Sequence, residues 1–302
     1  MHFVGLVSSR SPLQKKAIRA FLSGQGKAYW QSAEQFAKGL LAFLEGKGIE
    51  PGFVADAYLK MCKDMLSQQI AFKRTGAYSC SHASDAYTQV YSSEEEMSSY
   101  MYGLALSQYL WPNHYALFRY FQDACSGLKG VSRYLEIGPG HGLYLIKAMR
   151  LFPDAQFSVV DISPVSLRIS QELVSHFARG RACSFRVQDA REVTDESYDF
   201  ISMCEVLEHL DETLPLLKKL HGMTAAGGRV FITTCANCPA IDHTYLYDSV
   251  GHIRRELHNA GFLILQDIPL AVGDIPEEQW EVQRVEVNYA ALLAKAEDAP
   301  CG

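Results

Sequence analysis

Apolar residues in the first part of the chain recur with the period of a helix. Leu13, Ala17, Ile18, Phe21 and Leu22 form one such set, and Trp30, Ala33, Phe36, Ala37, Leu40, Leu41 and Leu44 form a longer one. Each presents a single apolar face, as a helix packed on a core does. A third helix enters near Pro51, carries Phe53, Ala57, Met61 and Met65 on one side, and fades around Phe72. Residues 73–91, with Gly76 and many Ser and Tyr, read as a loop. Ser92 and Ser93 followed by Glu95 and Glu96 form a capping-box signature for a fourth helix, the glutamates also complementing its positive end. That helix runs to about Trp111, Pro112 interrupts, and a fifth leads to Gly127 and Gly130, where a domain boundary is expected. The chain therefore divides into a helical segment, residues 1–128, and a second unit, residues 129–302.

In the second unit the pattern becomes a regular alternation of strand and helix, which predicts an α/β fold. Strands are expected at residues 134–137, 157–161, 184–187, 198–204 and 229–234, and helices at 143–149, 167–177, 214–223 and 249–259. Two last strands, at 262–265 and 280–287, have no helix between them and so fit an antiparallel hairpin.

The stretch Glu136-Ile137-Gly138-Pro139-Gly140-His141-Gly142 organises this unit, because an apolar strand ends in an acid and runs into three alternating glycines. A side chain at any of them would project where a ligand must touch the backbone. Such a turn also serves dinucleotide enzymes, but a pyrophosphate wants a helix dipole and no carboxylates. Here Glu136 closes the first strand, Asp161 the second, Asp189 follows the third and Glu205 the fourth. Four acids around one crevice suit a ligand with an ammonium and a sulfonium, S-adenosylmethionine, with Asp161 placed for the ribose hydroxyls.

Composition narrows the partners. The net charge of −6 and pI near 5.9 argue against a nucleic-acid partner, which leaves a basic footprint. Hydrophobic residues make up 48% of the 302, enough for a sizeable core, yet no apolar run approaches the roughly twenty residues that span a bilayer. With no basic region ahead of the short apolar run at residues 1–7, we expect a cytoplasmic protein without membrane attachment. The eight cysteines follow no disulfide framework, and Cys235 and Cys238 lack a second pair to complete a zinc site. Oligomeric state is left open, a homodimer included.

The glycine loop, Asp161, Gln188-Asp189-Ala190 and residues 198–210, ending Glu205-Val206-Leu207-Glu208-His209-Leu210, together resemble the class I S-adenosylmethionine-dependent methyltransferases. The resemblance covers residues 130–290 and implies a Rossmann-like seven-stranded sheet with the N-terminal helices as an all-α lid. It also implies that Gly138, Gly140 and Gly142 receive the methionine end beside Glu136 and Glu205. Asp161, with Ile162, would hold the ribose, and Asp189, with Ala190, would meet the adenine amino group.

Such chemistry needs alignment for an in-line displacement, and a base where the acceptor is a hydroxyl or ammonium. His209 and His243 are the candidate acid–base or hydrogen-bonding groups, each in a loop at the carboxyl end of a strand. Tyr102, Trp111, His114 and Asn237 are candidates for the substrate wall, although an aromatic stripe such as that from Tyr100 to Tyr115 also serves simply to pack helices. The expected activity is methylation of a small molecule. Two alternatives use the same cofactor motif: carbon–sulfur chemistry that releases methylthioadenosine, and non-catalytic binding. No metal ligand is assigned, although Glu205-Val206-Leu207-Glu208-His209 is similar to the segment with which ubiquinone-pathway O-methyltransferases and small-RNA terminal methyltransferases hold a divalent ion. Glu205 and His209 would then share one helical face.

Overall fold

The computed structural model describes residues 2–194 and 197–298. Met1, which begins the expected apolar run, and the end of the second expected unit lie outside them. The chain opens with helices α1 (His2–Arg10), α2 (Pro12–Ser23), α3 (Lys27–Lys47) and α4 (Pro51–Thr75). Proline stands in the first turn of α2 and α4, and Gly76, at φ 73°, ends α4 in the left-handed conformation. Residues 83–91 are not a loop: α5 (Ala83–Ala86) runs straight into a π turn, Tyr87–Tyr91. Helix α6 (Glu94–Leu110) then starts as its capping signal requires, Ser93 accepting the backbone N–H of Glu96 at 3.2 Å. Helix α7 (Pro112–Cys125) completes the set.

The sheet is built from β1 (Arg133–Ile137), β2 (Gln156–Asp161), β3 (Cys183–Val187), β4 (Tyr198–Cys204), β5 (Thr224–Ala236), β6 (Phe262–Ala271) and β7 (Val287–Lys295). Their order is β3-β2-β1-β4-β5-β7-β6, parallel except for β7, which pairs antiparallel to both β5 and β6. Helices α8 (Leu143–Leu151), α9 (Pro164–Phe177), α10 (Leu214–Met223) and α11 (Val250–Asn259) make the crossovers. The order in which strands are added reverses between β1 and β4, which opens a crevice at their carboxyl ends, where ligands bind in such sheets.

One strand differs from the sequence expectation. Residues 280–286 are not part of a strand; Trp280–Gln283 is a short helix, α12, and Arg284 at φ 48° redirects the chain. The last strand is β7, further along.

The first seven helices and one face of the sheet share a core. Leu40, Tyr58 and Phe121 of the helices are buried with Tyr134, Phe200 and Phe231 of the strands in one apolar cluster, and a second cluster fills the other face. Among the described residues, no helix is long and apolar enough to cross a membrane.

Candidate active site

The crevice at the strand ends opens into one cavity that reaches from β1, β2 and β4 to the N-terminal helices. Its floor is the glycine turn. Gly138, Gly140 and Gly142 all take positive φ, at 63°, 50° and 70°. A Cβ on Gly138 would meet Val206 Cγ2 at 2.7 Å, so that position is closed by the protein itself. At Gly140 a Cβ would meet only Leu104 Cδ2 at 3.9 Å, and the space it would fill belongs to the cavity. His141 caps the helix that follows, its Nδ1 accepting the Leu143 N–H at 3.1 Å.

The acids stand as the strands place them. Glu136 is buried, and its Oε2 accepts from Tyr134 Oη at 2.5 Å and Ser202 Oγ at 2.7 Å. Burial nonetheless pushes its carboxyl up to about 7. Asp161 uses Oδ1 to accept the Ser163 N–H and Oδ2 to accept the Ser166 hydroxyl, both at 2.8 Å, and burial raises it to about 6. Each oxygen keeps a lone pair for a ligand hydroxyl. Ile162 is half-exposed beside it and lines the same cavity.

Asp189 differs from its expected use. Both its oxygens accept from the Arg191 guanidinium, at 2.6–3.0 Å, and this pairing holds its carboxyl below the usual range. It lines the cavity beside Ala190, but an amino group would compete with Arg191 for it.

Glu205 and His209 do not share a helical face. Glu205 sits at φ 53° immediately after β4, and Leu207–His209 is a single 3-10 turn. The Glu205 and Glu208 carboxyls are instead buried near each other, and Oε1 of each receives no hydrogen bond from the described residues. Burial, then the proximity of Glu208, pushes Glu205 well above the carboxylate range, and burial brings Glu208 to about 7. The second Glu208 oxygen accepts the Thr234 hydroxyl at 2.8 Å.

The His209 ring is held from one side. Its Nδ1 lies 2.8 Å from Tyr91 Oη and 3.1 Å from the Asp242 carbonyl oxygen, while Tyr91 donates its hydroxyl proton to Asp242 Oδ2 at 2.8 Å. With that proton committed and a carbonyl as the other neighbour, Nδ1 carries the hydrogen and Nε2 the lone pair. His243 packs edge-on against this ring at 4.8 Å, its Nδ1 donating to the Cys238 carbonyl at 2.6 Å. Burial lowers it to about 4, so it is neutral. Both histidines line the cavity.

Among the described residues, two triads offer ligand atoms within 4.8 Å of one another, Glu208 with Cys235 and His243, and His209 with Asp242 and His243. Asp242 Oδ1 is buried and receives no donor from another residue.

Of the expected substrate wall, Trp111 and His114 line the cavity. Trp111 Nε1 donates to Tyr58 Oη at 2.8 Å, and His114 Nδ1 meets Ser107 Oγ at 2.8 Å. Tyr102 and Asn237 do not. Tyr102 falls on another face of α6, buried edge-on against Phe53, while Tyr100, Met101 and Leu104 of that helix reach the cavity. Asn237, at φ 54°, is a brace whose Nδ2 donates to the Asp248 carbonyl at 2.9 Å. Tyr91 was not foreseen, since the stretch around it carries no apolar period and its only marker is its place just before the capping box.

Residues 135–230 match the family model described as a methyltransferase domain. Among curated proteins, the chain is similar to a ubiquinone biosynthesis O-methyltransferase of Xanthomonas euvesicatoria pv. vesicatoria, 26% identical over 191 residues, covering 54% of this chain and 76% of that one. Among solved structures it is similar to PigF with S-adenosylhomocysteine, with TM-score 0.55 and 12% identity over 81% of this chain and 73% of that one. It is also similar to the mitomycin 7-O-methyltransferase MmcR, with TM-score 0.53 and 13% identity over 80% and 70%. These two likenesses are of fold.

Proposed function

Since the chain belongs to the class I S-adenosylmethionine-dependent methyltransferases, we propose that it methylates a hydroxyl oxygen of a small molecule, with His209 as general base. The residues fit the cofactor: an open glycine cradle at Gly140, and buried carboxyls at Glu136, Asp161 and Glu205 that a cation would allow to ionise. When bound, S-adenosylmethionine supplies a methyl group already activated on sulfur. What the chain must add is alignment and removal of the acceptor's proton.

The observation that carries this reading is the Tyr91–His209–Asp242 arrangement. Nδ1 is held as a donor, so Nε2 is the atom that takes the proton. Burial works to neutralise Asp242, but the His209 and His243 imidazoles and the Tyr91 hydroxyl hold its carboxyl below the usual range. It is therefore ionised and stabilises the imidazolium that forms. His243, neutral, accepts from a second hydroxyl, and Trp111 and His114 wall the acceptor. The similar Xanthomonas protein is named an O-methyltransferase, which favours oxygen over nitrogen. A panel of phenols, catechols and primary amines assayed with labelled cofactor tests this: hydroxyl compounds should be methylated by the wild type and not by His209→Ala, and methylation of the amines alone would overturn it.

A second reading keeps the hydroxyl acceptor and places a divalent cation among His209, Asp242 and His243, favoured by the undonated Asp242 oxygen. Full activity after exhaustive chelation would remove it.

A further inference from the structure

The cavity does not end at His209. It continues between α2, α4 and the end of β6, and its volume of about 1050 Å³, the cofactor site included, stands at the upper end of the roughly 300–1,000 Å³ of ordinary ligand pockets. Along α4 the wall follows one stripe, Tyr58, Cys62, Met65, Leu66 and Gln69. At about 1.5 Å per residue this stripe is roughly 16 Å long. Ser11, Gln14, Lys63, Asn113, Asn288 and the hydrogen-bonded pair Gln69–Glu286 interrupt a lining that is otherwise mainly apolar.

Away from the cofactor acids, the lining includes exposed apolar side chains. Leu13 of α2 is 65% exposed, Leu66 of α4 is 47% exposed and Val272, just after β6, is 47% exposed, and all three line this cavity. Single exposed apolar residues mean little, but these three come from separate elements and line the same cavity. Because the arm is continuous with the cofactor acids and His209, one ligand can reach from the reaction centre into it. A short phenol would fill the reaction centre and leave the apolar arm in water.

We propose that the acceptor carries a hydrocarbon chain, which lies between α2 and α4 and leaves past Leu13, Leu66 and Val272. This rests on the hydroxyl reading only for where the head group sits.

The test is calorimetric titration of the protein, saturated with adenosylhomocysteine, with phenol, para-butylphenol and para-octylphenol. Buried methylenes should each tighten binding about fourfold, so that octylphenol binds on the order of a hundredfold more tightly than butylphenol. The double variant Leu13→Glu, Leu66→Glu should lose most of that gain and keep its affinity for adenosylhomocysteine. Equal affinities along the series would overturn the proposal, as would a chain-length gain retained in full by the double variant. If the series is flat but the protein sediments with phosphatidylcholine vesicles, the exposed side chains contact a membrane and the proposal is wrong. The titration needs no turnover, so a chain-length gain without methylation of any phenol retires the hydroxyl reading alone.

Discussion

Tyr91 Oη lies 2.8 Å from His209 Nδ1 and 2.8 Å from Asp242 Oδ2, so one hydroxyl from the π turn ties the base to its carboxylate. The same residue reaches the cofactor side, its carbonyl accepting the Ser163 hydroxyl at 2.9 Å, while the Ser163 N–H is held by Asp161. The segment between α4 and α6 thus joins the expected ribose acid to the expected base. π turns interrupt helices where a side chain must be aimed, and here the side chain is Tyr91.

Removing the hydroxyl should loosen the base without disturbing the cofactor. Tyr91→Phe leaves the His209 Nδ1 the Asp242 carbonyl at 3.1 Å and the Asp242 carboxylate at 3.5 Å. We predict a loss of about 10- to 100-fold in kcat with little change in adenosylhomocysteine affinity, against about 10²- to 10⁴-fold for His209→Ala. Steady-state kinetics beside equilibrium binding would check both, and a Tyr91→Phe enzyme with wild-type kcat would contradict the assignment.

The glycine cradle gives a binding prediction that needs no acceptor. At a hundred times its dissociation constant, adenosylhomocysteine should stabilise the wild-type fold by about 2.7 kcal/mol. Gly140→Val should abolish this, because the new side chain occupies the cavity and φ 50° is strained for valine. Thermal melts of both proteins with and without ligand measure it.

The buried acids predict an uncommon pH dependence. Burial raises Glu136 and Glu208 from about 4.5 to about 7 and Asp161 from about 4 to about 6. A raised folded value means that the contribution of these groups is fully present below the unfolded value and lost as pH rises through the folded one. The ligand-free protein should therefore lose stability from these groups between about pH 4 and pH 7. S-adenosylmethionine, a cation at sulfur, favours their ionised forms, so binding at pH 6 should release protons. Calorimetry in two buffers of different ionisation enthalpy counts them; net uptake would mean that these acids do not face the cofactor.

Much of this site was legible in the sequence because it is local. Glu136 and Asp161 stand at the ends of their strands, Glu205 directly follows the fourth, and three glycines in five residues mark a turn that a ligand touches. What escaped depends on tertiary context. Residues 280–287 alternate like a strand, yet Arg284 takes φ 48° and Val282 is left 86% exposed. The true strand, β7, lies between β5 and β6 and is buried on both faces, so its Ala-Leu run shows no alternation to detect. Tyr102 and Asn237 were of the right residue type in the right segment, but a helical rotation and a backbone brace put them elsewhere. The pairing of Asp189 with Arg191, two residues on, is set by the turn between them.

The central claim, methyl transfer from S-adenosylmethionine to a hydroxyl, is tested most directly by product analysis. The purified protein is incubated with methyl-labelled cofactor and an alkylphenol or alkylcatechol, and the nucleoside and organic products are quantified together. Adenosylhomocysteine and a labelled methyl ether should form in equal amounts. Methylthioadenosine as the nucleoside product, or label on carbon or nitrogen in place of oxygen, would contradict it.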